Sequence, residues 1–97
     1  MITMHPGEYL AMAYLDPLQM TQSELAKRLH VSTSAISRLV SGKADLSVDM
    51  AMRLSRVLDR SAESWLRMQL RHSLAQSQAE VSLKELQPLE LEEALAG

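Results

Sequence analysis

A chain of 97 residues with 46% apolar and 23% charged residues has room for one small domain and a short tail, and it carries no disorder signature. It contains no cysteine, which excludes disulfides, thiolate metal sites and thiol catalysis, and no apolar run long enough to span a membrane. The net charge of −2 argues, taken whole, against nucleic acid, but it conceals a basic middle and an acidic end.

Leu, Ala, Met, Arg, Glu and Gln dominate over strand formers, so the composition predicts an all-α fold with leucine and methionine in its core. The first helix is expected from about Gly7 to Leu15, where Tyr9, Leu10, Ala13 and Tyr14 recur at helical spacing. Pro17 disfavours helix at Asp16, leaving residues 17–20 as a connection. A second helix opens on a capping box, Thr21 with Glu24, buries Leu25, Ala26 and Leu29, and stops near His30. Ser32 caps a short third helix, from Thr33 to about Val40, with Ile36 and Leu39 inward and Gly42 as its stop. Ser47 caps a fourth helix bearing Met50, Ala51, Leu54, Val57 and Leu58. Ser61 caps a fifth that runs to about Ala79, with Ala62, Trp65, Leu66, Leu70 and Leu74 along its apolar stripe. Residues 1–79 thus read as the domain and 80–97 as an acidic, leucine-rich tail, expected to order only by packing on its own domain or on a neighbouring copy.

Charge follows the same division. Residues 20–72 hold nine Lys/Arg against five acids, a balance of +4, and residues 73–97 hold Lys84 against five glutamates, a balance of −4. A basic middle suits phosphate and an acidic tail suits a cationic protein. His5, His30 and His72 lie too far apart for a local metal motif, and no cofactor is expected. Met1–Pro6 show neither the basic region nor the apolar core of a secretory signal, so a cytoplasmic location is expected.

The second and third helices, joined by a short turn, form a helix-turn-helix candidate over Gln22–Leu39. Ala26 is the small residue where the helices cross. Leu25, Leu29, Val31, Ile36 and Leu39 take the buried positions, while Thr33, Ser34, Ser37 and Arg38 face outward. His30 stands at the turn, where glycine would relieve a left-handed backbone; the turn is expected to survive it. A helix of this size enters the major groove of duplex DNA. The fork of Arg38 can address guanine O6 and N7, and Thr33, Ser34 and Ser37 can read base edges or a thymine methyl. Ser32 and Thr33 can offer backbone amides to a phosphate, and Gln22, Ser41 and Lys43 flank the helix at phosphate positions. Arg53, Arg56 and Arg60 are read as a solvated face of the fourth helix, and Glu63, Arg67 and Arg71 as a stabilising ladder on the fifth. Trp65 is assigned to the core rather than to stacking, and His5 and His72 to structural or exposed positions.

Four stretches, His5–Leu10, Gln22–Gly42, Ala51–Arg56 and Ser61–Leu66, together resemble the lambda-repressor-like (XRE) helix-turn-helix family, and within it the HigA/VapI antitoxins. The resemblance covers about residues 4–78; Ala62 departs from it where proline is common. It implies a five-helix DNA-binding domain acting as a homodimer on an inverted-repeat operator. It further implies a complex that neutralises a small basic toxin, a RelE-like mRNA endonuclease, and so an antitoxin that autoregulates its operon. Two half-sites also raise the affinity and specificity of one short helix, which favours a dimer independently. The fifth helix and the tail leucines are the surfaces assigned to dimerisation or toxin contact. A stand-alone phage-type regulator without toxin is the alternative, distinguished by whether a reading frame for a small basic protein adjoins. A pure protein-interaction module is disfavoured by Arg38 and Lys43. An enzyme is disfavoured because no nucleophile–base set, paired carboxylates or phosphate loop occurs at meaningful spacing.

Overall fold

The computed structural model describes residues 3–80 and 83–96. The first helix, α1, is longer than the sequence predicts. An α-helical turn over Pro6–Leu10 runs into a wide π turn over Ala11–Leu15 and a last turn over Asp16–Leu18, passing straight through Pro17. The π turn explains how. The amide of Asp16 donates to the carbonyl of Ala11, five residues back, and this widened bonding makes room for the proline ring, which has no N–H to offer. The helix stops at Gln19, which is left-handed (φ 50°); its amide bonds to Asp16 O and that of Met20 to Leu15 O, satisfying the terminal carbonyls.

The remaining helices are α2 (Gln22–Leu29), α3 (Thr33–Val40), α4 (Val48–Val57), α5 (Ala62–Glu80) and, in the tail, α6 (Leu91–Ala96). The predicted caps form. Thr21 and Glu24 exchange both bonds of the capping box, and the hydroxyls of Ser32, Ser47 and Ser61 accept from the amides of Ala35, Met50 and Ser64. Each such cap contributes about 1 kcal/mol.

Leu10, Leu15, Leu25, Leu29, Ile36, Leu39, Leu46, Leu54 and Trp65 form the core. In it α1 packs on α3 and α5, α2 on α3 and α4, and α4 on α5. Trp65 is fully buried, as assigned, with the ring of Tyr9 edge-on to it at 5.7 Å. Arg60 is not part of a solvated face, because α4 ends at Val57. Its guanidinium lies over the Tyr9 ring at 4.6 Å and donates to the Tyr9 hydroxyl at 2.9 Å. Beside it the hydroxyl of Tyr14 donates to Asp59 at 2.6 Å; burial, reinforced by that bond, pushes the phenol up to about 12.

The predicted stripe of α5 holds only in part. Leu70 and Leu74 are 58% and 54% exposed, while Gln69 takes the core-facing place one turn after Trp65. At 100° per residue Leu70 stands ~140° round the helix from Trp65, too far to share its face. The tail residues 83–96 are exposed throughout, so the tail does not dock on its own domain. Among the described residues no helix is long and apolar enough to cross a membrane.

Candidate nucleic-acid interface

The turn between α2 and α3 is built like the end of α1. His30 is left-handed (φ 57°, ψ 44°), its amide reaches Lys27 O, and the amide of Val31 reaches Ala26 O at 3.0 Å. The turn therefore accommodates histidine where glycine is easier, as expected. A side chain from elsewhere helps to hold it. Arg53 of α4 donates from Nη1 to the carbonyl of Leu29 at 2.8 Å and pairs through Nε with Asp49 at 2.8 Å. Of the three arginines read as solvated, only Arg56 is plainly exposed; Arg53 satisfies the carbonyl of Leu29 at the C-terminus of α2. Replacing Arg53 by Met keeps the stem and removes the donors. It is expected to cost about 1 kcal/mol, read as a lowered urea midpoint with unchanged slope.

On α3 the wheel separates two faces. Ile36 and Leu39 are buried, and Thr33, Ser34, Ser37 and Arg38 are exposed on the opposite side. Ser41 and Lys43 are exposed just beyond the helix. The carbonyl of Arg38 organises that end, accepting from the Ser41 hydroxyl at 3.2 Å and from the Lys43 amide at 2.9 Å, while Gly42 turns the chain at φ 77°. The Arg38 guanidinium enters none of the ion pairs among the described residues, and its stem borders a shallow hollow of about 170 Å³ with Ala35, Asp45, Ser47 and Met50. Ser32 is exposed, with its oxygen engaged as the cap. Gln22 is half-buried at the first turn of α2, apart from the others along the chain. Six of the eight predicted residues thus cluster within or beside α3, Ser32 sits at its cap, and Gln22 stands at the start of the neighbouring helix.

Two contacts that fix the pose of α3 are absent from the sequence reading. A Cβ on Gly7 would lie 1.7 Å from the carbonyl oxygen of Leu39, so α1 and α3 touch backbone to backbone. Gln69 ties the α3–α4 loop to α5: its Oε1 accepts from the Leu46 amide at 2.7 Å, and its Nε2 donates to Asp45 and to Ser73. A lone glutamine on an apolar helix face was the available signal for the second.

His5 is the buried N-cap of α1, its Nδ1 accepting from the Gly7 amide at 3.0 Å. Burial, and then the neighbouring His72, hold its pKa below the ordinary 6.5, against the opposing pull of Asp45 and Glu8. A depressed histidine pKa means that the unfolded chain takes up the proton first. The stability it confers is complete above pH 6.5 and is lost as pH falls from there through the folded-state value. Asn at position 5 keeps a capping oxygen and does not titrate. Between pH 7.5 and 5.5 the Tm of the native chain is expected to fall more than that of His5→Asn, as measured by circular dichroism.

These features, two short helices packed on each other with Ala26 buried, a tight turn and an exposed polar face on the second, coincide with a family match. The model of the helix-turn-helix family matches residues 12–65. The chain belongs to the XRE-type helix-turn-helix family. Virulence-associated protein I of Dichelobacter nodosus is 42% identical over 74 residues, 76% of this chain and 68% of that protein. The uncharacterized HTH-type transcriptional regulator YbaQ of Escherichia coli is 39% identical over 64 residues, 66% of this chain; the chain spans only 57% of YbaQ. Among solved structures, the Pseudomonas aeruginosa antitoxin HigA with the higBA promoter superposes with a TM-score of 0.84 at 34% identity, covering 91% of this chain and 99% of that one. The family is one of DNA-binding regulators and not of enzymes.

Proposed function

We propose that this chain is a sequence-specific transcriptional repressor and the antitoxin of a type II toxin–antitoxin module. As a cytoplasmic homodimer it binds operator DNA, represses its own operon and neutralises a small basic mRNA endonuclease of RelE-like type. The observation that carries the DNA-binding half is the exposed row Thr33, Ser34, Ser37 and Arg38 on a helix whose other face is locked into the core. The promoter-bound HigA of P. aeruginosa, alike in fold over nearly its whole length, supports it. In this reading Arg38 reads guanine, and Thr33, Ser34 and Ser37 read neighbouring base edges. Ser32, Ser41, Lys43 and Gln22 hold phosphates. Residues 1–79 form the DNA-binding domain and 80–97 a separate acidic tail.

The antitoxin half is supported by the likeness to HigA and by the acidic tail, which suits a cationic partner. Two experiments test the pair. A duplex from upstream of the chain's own gene, titrated by fluorescence anisotropy, is expected to bind with log K falling linearly in log salt. A flat salt response overturns the DNA interface. Co-expression with an adjoining frame for a small basic protein is expected to rescue growth and co-purify the two; survival of cells expressing that frame alone overturns the antitoxin reading.

A further inference from the structure

A second surface, on the α5 side of the domain, is left unexplained by DNA binding. Arg60, Arg67 and Arg71 line a cleft of about 440 Å³ together with Met4, Met12 and Met68. It joins three cations to a wall of thioethers, which adapt to irregular apolar shapes. Arg67 is paired only loosely with Glu63, at 4.0 Å, and both are largely exposed. Leu70 and Leu74 are exposed on the same helix, α5. The whole is a surface that is both basic and apolar, and it is unoccupied by any described part of the chain.

The same chain carries a segment of the opposite kind. Residues 83–96 hold Glu85, Glu90, Glu92 and Glu93 against Lys84, and expose Leu83, Leu86, Leu89, Leu91 and Leu95 to solvent by 54% to 86%. Five leucines in water are an unmet driving force for burial. Their acidic company selects a cationic site. Cleft and tail are complementary in charge and in apolar character.

We infer that the arginine–methionine cleft receives the acidic, leucine-rich tail of a second copy of this chain, each copy lending its tail to the other. The choice of a second copy over the same chain follows from where the tail begins. Both cleft and tail belong to α5: Arg67, Met68 and Arg71 lie in its first half, and the tail leaves its far end, nine residues or ~13 Å beyond Arg71. The chain already turns over Leu83–Leu86, where the Leu86 amide donates to the Leu83 carbonyl at 3.2 Å, and beyond that turn residues 87–96 still rest on no part of their own domain. Two copies with α5 helices antiparallel meet through Leu70 and Leu74, and each tail then runs forward over the other's cleft, a two-fold exchange in which the same surfaces serve both copies. The inference builds on the homodimer proposed above but needs neither DNA nor toxin.

The absence of cysteine makes the test direct. A nitroxide is attached to Ala94→Cys in unlabelled full-length chain, which is mixed in several-fold excess with nitrogen-15-labelled native chain without DNA. The amide signals of Met12, Ser64, Met68 and Arg71 in the labelled chain are expected to lose more than half their intensity relative to the reduced nitroxide. Arg67→Glu with Arg71→Glu, both exposed positions, is expected to restore them in the labelled chain, and Glu92→Lys with Glu93→Lys in the spin-labelled partner to bring the loss back. Broadening seen only when label and isotope share one chain overturns the exchange in favour of folding back; no broadening in either sample overturns the cleft as the tail's site. Operator binding is measured separately, so a failure here leaves the DNA reading standing.

Discussion

Gly7→Ala is expected to remove about 3 kcal/mol of stability or more and to force α1 away from α3. The added Cβ would sit 1.7 Å from the carbonyl oxygen and 2.4 Å from the carbonyl carbon of Leu39, and 2.9 Å from the amide nitrogen of Val40. All three are backbone, so no rotamer change relieves the overlap; α1 must lift from α3 as a unit. Lifting it opens the contact between Leu10, which is fully buried, and the core, and it loosens the helix that offers Arg38. A domain of this size has a total stability of about 5–15 kcal/mol, so the loss is a large fraction. Gly42→Ala is the matched control. Gly42 has a left-handed backbone (φ 77°) but open space around its missing Cβ, and its substitution is expected to cost only about 1 kcal/mol. Urea denaturation of both variants checks the difference. Equal losses would mean that α1 and α3 are not in backbone contact.

The contrast shows which parts of the molecule the sequence discloses. Local chemistry was legible: the serine and threonine caps, the apolar faces of α2 and α3, and the outward row from Thr33 to Arg38 all depend on residues within five positions of one another. Errors arose where a distant group changes the meaning of a residue. Pro17 reads as a breaker until the π turn before it is known. Arg53 and Arg60 read as solvated charges until the carbonyl of Leu29 and the ring of Tyr9, 24 and 51 residues away, come to meet them. Leu70 and Leu74 read as core because leucine in an amphipathic helix is usually core; the short domain has no further layer to cover them. Gly7 is the extreme case, for nothing local explains a glycine in the first turn of a helix. The close approach of another backbone does.

Arg38→Ala is expected to weaken binding to the specific operator by about 10- to 100-fold for each half-site, the equivalent of one lost bidentate contact to guanine per half-site at ~1–3 kcal/mol, while leaving Tm almost unchanged. The two halves of the prediction have separate causes. Stability is spared because the guanidinium is exposed and enters no ion pair among the described residues, and because the loop-organising bonds run to the Arg38 carbonyl, which alanine also has. Specific affinity is lost because Thr33, Ser34 and Ser37 are short and their hydroxyls discriminate poorly without a longer group beside them. Lys43→Ala separates reading from holding. Fixed by its amide to Arg38 O and assigned to a phosphate, Lys43 is expected on substitution to weaken specific and random duplexes alike and to reduce the salt slope by about one per half-site. Anisotropy titrations of both variants against operator and scrambled duplex, at several salt concentrations, read these outcomes together. If Arg38→Ala reduced affinity for both duplexes equally, Arg38 would be a phosphate contact, and base reading would pass to the hydroxyls of α3 alone.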